Sequence, residues 1–209
     1  MNADQIIAIL VDEIIKSVSP DFLIKELNFM NGRRRADLTF GSNGELYSFE
    51  IKSRFDNLSK LAEQTSDYIR CFDYSYIVVN KSHLSSARKI ANKKLGIILE
   101  QNGALKIMRR ATKIKRLDKY SVLTLISGKD ISQSFKVSSS NVKAFDTHTI
   151  KKMISKEHTL AEIKYRIYSK LKENHSSNLQ FLLDETGDIV HVDDLLYISR
   201  KNATKILNR

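Results

Sequence analysis

The stretch from Ala36 to Lys52 restricts the fold more than any other part of the chain. ADLTF and ELYSFEIK are two runs rich in β-formers, and the GSNG between them is a tight-turn sequence. Such a hairpin needs further strands beside it and a layer over its apolar face. The neighbouring segments supply both. Between Asp4 and Ser17, Ile6, Ile7, Leu10, Val11, Ile14 and Ile15 recur at helical spacing, with Asp12 and Glu13 among them. The acids make this an amphipathic helix rather than a secretion signal. Phe22 to Leu27 reads as a short strand or as the end of a helical hairpin. Leu58, Leu61, Thr65, Ile69 and Phe72 share one face and predict a helix over 57–72. SYIVVN at 75–80 has the continuous apolar character of a strand buried on both faces. An amphipathic helix over 82–94, a strand over 95–100 and a QNG turn into a strand over 105–108 complete the pattern. The expected fold class is α/β, a mixed β-sheet core flanked by helices on both faces, occupying residues 1–110.

Beyond that core the pattern changes. Residues 111–148 read as a basic and Ser-rich connection, and 149–209 as a smaller C-terminal α+β module. That module is expected to hold a helix from Thr149 to Lys172, a hairpin around Glu185-Thr186-Gly187-Asp188, and a last helix capped by Asp193 or Asp194. The chain has 209 residues, 42% of them hydrophobic, enough to bury a core. No stretch approaches the roughly 18 consecutive apolar residues of a membrane helix, so no membrane partner is expected. One cysteine, Cys71, excludes an internal disulfide and a cysteine-based zinc site, and its place on an apolar helix face suits packing rather than nucleophilic chemistry. A cytoplasmic setting is compatible. The five histidines are scattered and no glycine-rich phosphate loop is present, which excludes the common zinc-hydrolase and nucleotide-binding motifs.

The net charge is +11, and residues 80–119 hold twelve basic and only two acidic side chains, nearly all of the excess. A localised field of this kind suits a polyanion, with nucleic acid as the leading partner and a merely solvated surface as the alternative. Within and beside it, Arg109, Arg110, Lys113, Lys115 and Arg116 are the expected grip on phosphates. Arg33, Arg34 and Arg35 precede the hairpin and are expected to meet phosphates at the mouth of a site there.

The hairpin carries the chemistry. Asp37 starts one strand, while Glu50 and Lys52 lie two apart near the end of its partner and hence on one face. Charges set among Leu46, Phe49 and Ile51 are unfavourable unless they compensate one another or bind a metal. Two carboxylates offer hard oxygen ligands for Mg²⁺, and the ammonium can position a water or meet charge growing on a phosphate. Spacing alone equally fits an ordinary surface salt bridge.

Asp37, followed by Glu50-Ile51-Lys52 across a turn, resembles the D…(D/E)xK signature of the PD-(D/E)XK nuclease superfamily, whose members share a restriction-endonuclease-like fold. Glu26 lies upstream where many members place a further acidic residue, and Gln64 and Tyr68 form a QxxxY pair similar to that of the RecB-like branch. Residues 21–108 together resemble the small bacterial sce7726 family. Ala36 stands in place of the literal proline, and Arg54 stands where an acidic residue is expected. The resemblance implies that Asp37 and Glu50, with the Ile51 carbonyl, ligate Mg²⁺ or Mn²⁺, with Glu26 assisting directly or through water. It further implies that Lys52 positions the attacking water and that Gln64 and Tyr68 support the site. The expected activity is metal-dependent hydrolysis of phosphodiester bonds in DNA, with RNA not excluded, in phage defence or repair. The rivals are a non-catalytic nucleic-acid or protein-binding module on the same fold, and a junction resolvase acting as a homodimer. The C-terminal module leaves room for a protein partner.

Overall fold

The structure, a computed structural model, describes residues 1–199. It begins with α1 (Ala3–Val18), which Asn2 and Gln5 cap reciprocally. Three strands follow, β1 (Phe22–Phe29), β2 (Arg34–Ser42) and β3 (Glu45–Lys52). Phe22–Leu27 is therefore a strand. Asn43 and Gly44, both at positive φ, close the two-residue β2–β3 turn, the geometry that matches strand twist. Then come α2 (Leu61–Cys71), β4 (Tyr74–Asn80), α3 (Leu84–Ile90), β5 (Gly96–Gln101) and β6 (Ala104–Arg109). The six strands lie in sequence order; β3, β4 and β5 are mutually parallel and the other pairings antiparallel. This is a mixed α/β fold with helices on both faces of the sheet.

Two of the expected helices are shorter than their periodicity. In the first, residues 57–60 form turns, with Asn57 Oδ1 accepting the Ser59 N–H at 2.6 Å. The second stops at Ile90 because Asn92 diverts the chain: its side chain accepts the Lys94 N–H, while its carbonyl accepts from Leu95 N–H and the Arg109 guanidinium.

Alternation along the strands sorts side chains onto the two faces. Ile6, Leu10, Val11 and Ile14 of α1 pack with Leu38, Phe40, Phe49, Ile51, Val78 and Ile98. On the other face, Leu61 of α2 and Ala87 of α3 cover Ile77, Val79 and Ile97. Burying each aliphatic side chain contributes about 1.5–3 kcal/mol, which fixes the strand register.

The remaining elements are helical: α4 (Lys119–Leu123), α5 (Gly128–Ser134), α6 (Ser139–Ala144), α7 (Thr147–Glu157) and α8 (Leu160–Glu185). The expected hairpin at 185–188 does not form. Its first limb is the last turn of α8, because Leu179 and Leu182 fall on the helix face that packs against α1, and helical periodicity wins over the turn signal of Thr186-Gly187. Asp193–Leu196 is a 3-10 turn without a side-chain cap, and the chain then turns into a bridge between Ser199 and Lys25 instead of continuing as a helix; the part of the expected last helix beyond residue 199 lies outside the described residues. The C-terminal helices do not enclose a core of their own: Ile163, Ile167 and Leu171 of α8 share one with Phe22, Ile24 and Phe29 of β1. Among the described residues no helix is long and apolar enough to cross a membrane.

Candidate active site

The site lies where β2 and β3 separate. Their pairing runs from Ser42↔Glu45 to Leu38↔Phe49 and stops, although β3 continues to Lys52 alongside β4. At this fork Asp37 accepts the Ile51 N–H on Oδ2 at 2.7 Å, in place of a backbone partner. Glu50 and Lys52 alternate with the α1-facing Phe49 and Ile51, so they point to the α2 side, and both are buried.

Helix α2 supplies the other partners. Gln64 and Tyr68, one turn apart, both reach Glu50: Gln64 Nε2 donates to Oε1 at 2.8 Å and the Tyr68 hydroxyl to Oε2 at 2.6 Å. The Lys52 ammonium lies 2.7 Å from Glu50 Oε1. The α2 hydrophobic stripe that buries Leu61 and Thr65 is what holds this pair over the fork. Tyr68 is wholly buried, and burial together with the Glu50 charge pushes its pKa well above the ordinary value, so it stays a donor. Asp37 is pushed up to about 7, first by burial and then by the Glu50 charge, against the pull of the Ile51 N–H, Lys52 and Arg35. Negative charge is thus crowded into a poorly solvated pocket.

The side chains that could hold a hard divalent cation here are few: among the described residues no three His, Cys, Asp or Glu gather at one point, so two carboxylates would need a carbonyl, an amide oxygen or water beside them. The available atoms are oxygens: Asp37 Oδ2 and Glu50 Oε2 each accept one hydrogen bond and keep a lone pair, Glu50 Oε1 is already engaged by both Gln64 and Lys52, and Gln64 Oε1 is buried with no hydrogen-bond partner among the described residues. Two carboxylates, a carbonyl and waters are a sufficient Mg²⁺ set when substrate phosphate completes it.

Glu26 lies on the element before the hairpin, where the resemblance puts it. It sits in β1 between the pairs Lys25↔Leu38 and Leu27↔Ala36, hence beside Asp37, but its carboxylate lies 3.2 Å from Arg35. Its φ of 64° is left-handed, a strain of order 1–3 kcal/mol for a non-glycine residue. The twist resets the alternation: Phe22 and Ile24 share a face, and the next residues on it are Leu27 and Phe29, a step of three.

The basic residues divide into groups. Arg34 is held by Asp67 at 2.7 Å and by Glu63, so it braces β2 against α2 and is not available to phosphate. Arg33 and Arg35 are exposed beside the fork. Arg109 is turned inward, donating to the carbonyls of Leu95 and Asn92. Lys113 pairs with Glu45 and Lys115 lines a groove with Gly44, at the turn end of β3. Seven residues of strand, about 20 Å, separate that end from Lys52. The structure therefore does not bring Lys113 and Lys115 together with the hairpin charges; Arg110 and Arg116, in the same region, are exposed. Sequence reasoning missed Phe55, which is 75% exposed with the Arg54 guanidinium 4.5 Å above its ring, three residues beyond Lys52. An aromatic in a polar loop next to a charged motif was the available signal.

A family model described as Bacteriophage P4 protein cII matches residues 3–199, sheet and C-terminal helices alike. Protein cII of Enterobacteria phage P4 is 26% identical over 187 residues, which is 85% of this chain and 69% of that protein. Among solved structures, a protein of unknown function from Silicibacter pomeroyi shares 17% identity over 66% of this chain and 83% of its own, with a TM-score of 0.37.

Proposed function

This chain belongs to the bacteriophage P4 protein cII family, and we propose that it is a metal-dependent nuclease of the PD-(D/E)XK type, hydrolysing phosphodiester bonds of DNA in phage defence or repair. One observation carries the reading: Asp37, Glu50, Lys52, Gln64 and Tyr68 converge at the β2–β3 fork, drawn from the hairpin and from α2. A salt bridge alone would not need a half-buried glutamine and a buried tyrosine on the same carboxylate.

Asp37, Glu50, Gln64 Oε1 and the Ile51 carbonyl are the groups that would hold Mg²⁺ or Mn²⁺. When bound, the cation supplies Lewis-acid stabilisation of charge growing on the phosphodiester oxygens. The chain's own residues do the rest. Tyr68 and Gln64 fix the Glu50 carboxylate, so it needs no reorganisation during reaction. Lys52, anchored on Glu50, holds the attacking water by one N–H and presents its charge to the transition state. Arg33 and Arg35 meet flanking phosphates, which positions the strand without reading its sequence.

The second reading, a non-catalytic nucleic-acid or protein-binding module, draws on the same ion pair, because a Lys52 ammonium engaged by Glu50 also serves as a purely structural clamp. Purified protein incubated with linear, single-stranded and branched DNA in Mg²⁺, Mn²⁺ or EDTA separates the two. Cleavage is expected with either metal and not in EDTA, and Lys52→Ala should lose about 10²–10³ of the rate while still binding DNA. Wild-type protein that binds every form and cuts none assigns the chain to the second reading.

A further inference from the structure

Helix α7 carries a charge that the nuclease reading does not use. Lys151 is 5% exposed, and among the described residues no carboxylate lies within 4 Å of its ammonium. Asn31 Oδ1, at 3.3 Å, is an acceptor for it. The other end of that amide sets its direction, since Asn31 Nδ2 donates to the Tyr120 hydroxyl at 3.0 Å. Burial lowers the Lys151 pKa with no opposing ion to restore it. A buried ammonium without counter-charge is strongly unfavourable, and an anionic ligand is the group that removes the penalty.

Lys151 lines a cavity of about 500 Å³ between β1, the Met30–Gly32 turn, the start of α5 and α8. Ile24, Leu27 and Leu171 form apolar wall, while Asn28, Ser127 and Asn174 add neutral polar groups. Asp130, also on the lining, is already opposed by Lys170 at 3.8 Å and accepts from the Ser127 hydroxyl. None of the residues at the β2–β3 fork lines this cavity, so what it binds is independent of the nuclease reading.

We propose that this cavity binds a phosphate ester of mononucleotide size, the phosphate on Lys151 and the organic part against the apolar wall. A compact ammonium surrounded by amide and hydroxyl groups suits a tetrahedral anion with several acceptor oxygens, whereas the guanidinium fork that matches a carboxylate is absent from the lining. The volume lies within the range of small-molecule sites and exceeds what a bare ion fills.

Isothermal titration with deoxyadenosine 5′-monophosphate in EDTA tests this with the metal ligands silent. Wild-type protein should bind with a dissociation constant below about 1 mM, and acetate should bind at least tenfold more weakly. Lys151→Met, which keeps the side-chain volume, should weaken nucleotide binding at least tenfold. Asn174→Asp, an exposed position on the cavity rim, should weaken it as well and serves as the probe if Lys151→Met does not fold. Absence of binding by wild-type protein, equal binding by both variants, or acetate binding as tightly as the nucleotide overturns the proposal.

Discussion

Asp37 concentrates the physical tension of the site. Its carboxyl is raised to about 7 from an ordinary 3.8, so between these values the folded chain holds a proton that the unfolded chain has released. Folding stability therefore falls as pH rises through that window, and the penalty is complete above pH 7. Asn at this position keeps an acceptor for the Ile51 N–H and removes the charge. The urea midpoint of Asp37→Asn should exceed that of wild type at pH 8 and approach it at pH 4.5. Mg²⁺ should raise the wild-type midpoint at pH 8 and leave Asp37→Asn unchanged, because the cation relieves a repulsion that the variant lacks. Parallel pH dependence of the two proteins would remove Asp37 as the source of the effect.

At the scale of elements, the fork between β2 and β3 gives the proposed chemistry its place, and β3 sets the distances around it. Glu50 and Lys52 occupy one end of β3, while Glu45, with its partner Lys113, occupies the other. A polyanion engaged at the fork, as proposed, would meet the β1–β2 connection and the loop after β3 before the segment following β6. Arg35 and Arg54 are exposed cations beside those two segments. Replacing both by Gln should weaken DNA binding and flatten its salt dependence, by about 0.9 in the log–log slope for each phosphate no longer neutralised. Lys113→Gln with Lys115→Gln should change the slope less. The opposite order, measured by anisotropy at several salt concentrations, would return the grip to the basic segment that the sequence singled out.

At the scale of the whole molecule, α8 ties the two faces together. Its first half packs on the β1 side, where Tyr168 meets Phe22 with ring centroids 5.4 Å apart, and its second half, with Leu179 and Leu182, packs against α1. Lys164 reaches the fully buried Asp73, and Lys172 pairs with Asp21. At the β1 edge of the sheet the Lys25 N–H donates to the Ile198 carbonyl at 2.8 Å in an isolated bridge with Ser199, which occupies a backbone group that an open edge would offer to another chain. Leu171, 2% exposed, sits in that shared core. Leu171→Ala should lower stability by about 2–5 kcal/mol and shift one cooperative transition of the entire chain. A separate early transition, with the sheet unaffected, would show that the C-terminal helices unfold on their own.

Local pattern was enough for much of this protein. The hairpin turn, α1, β4 and the co-facial pair Glu50 and Lys52 were legible because each depends on period, turn chemistry or a spacing of two, all properties of neighbouring residues. Gln64 and Tyr68 were legible as a spacing on one helix, although their shared partner was not. What the fold alone decided depends on residues far apart in the chain. Arg34 is spoken for because α2 brings Glu63 and Asp67 to it, and Lys113 is remote from Lys52 because both are tied to opposite ends of one strand. Glu185 closes a helix rather than opening a hairpin because α1 offers a surface for Leu179 and Leu182. The left-handed twist at Glu26 and the uncompensated charge of Lys151 arise the same way. Composition counts charges without saying which are already paired, since pairing is a property of distance in space.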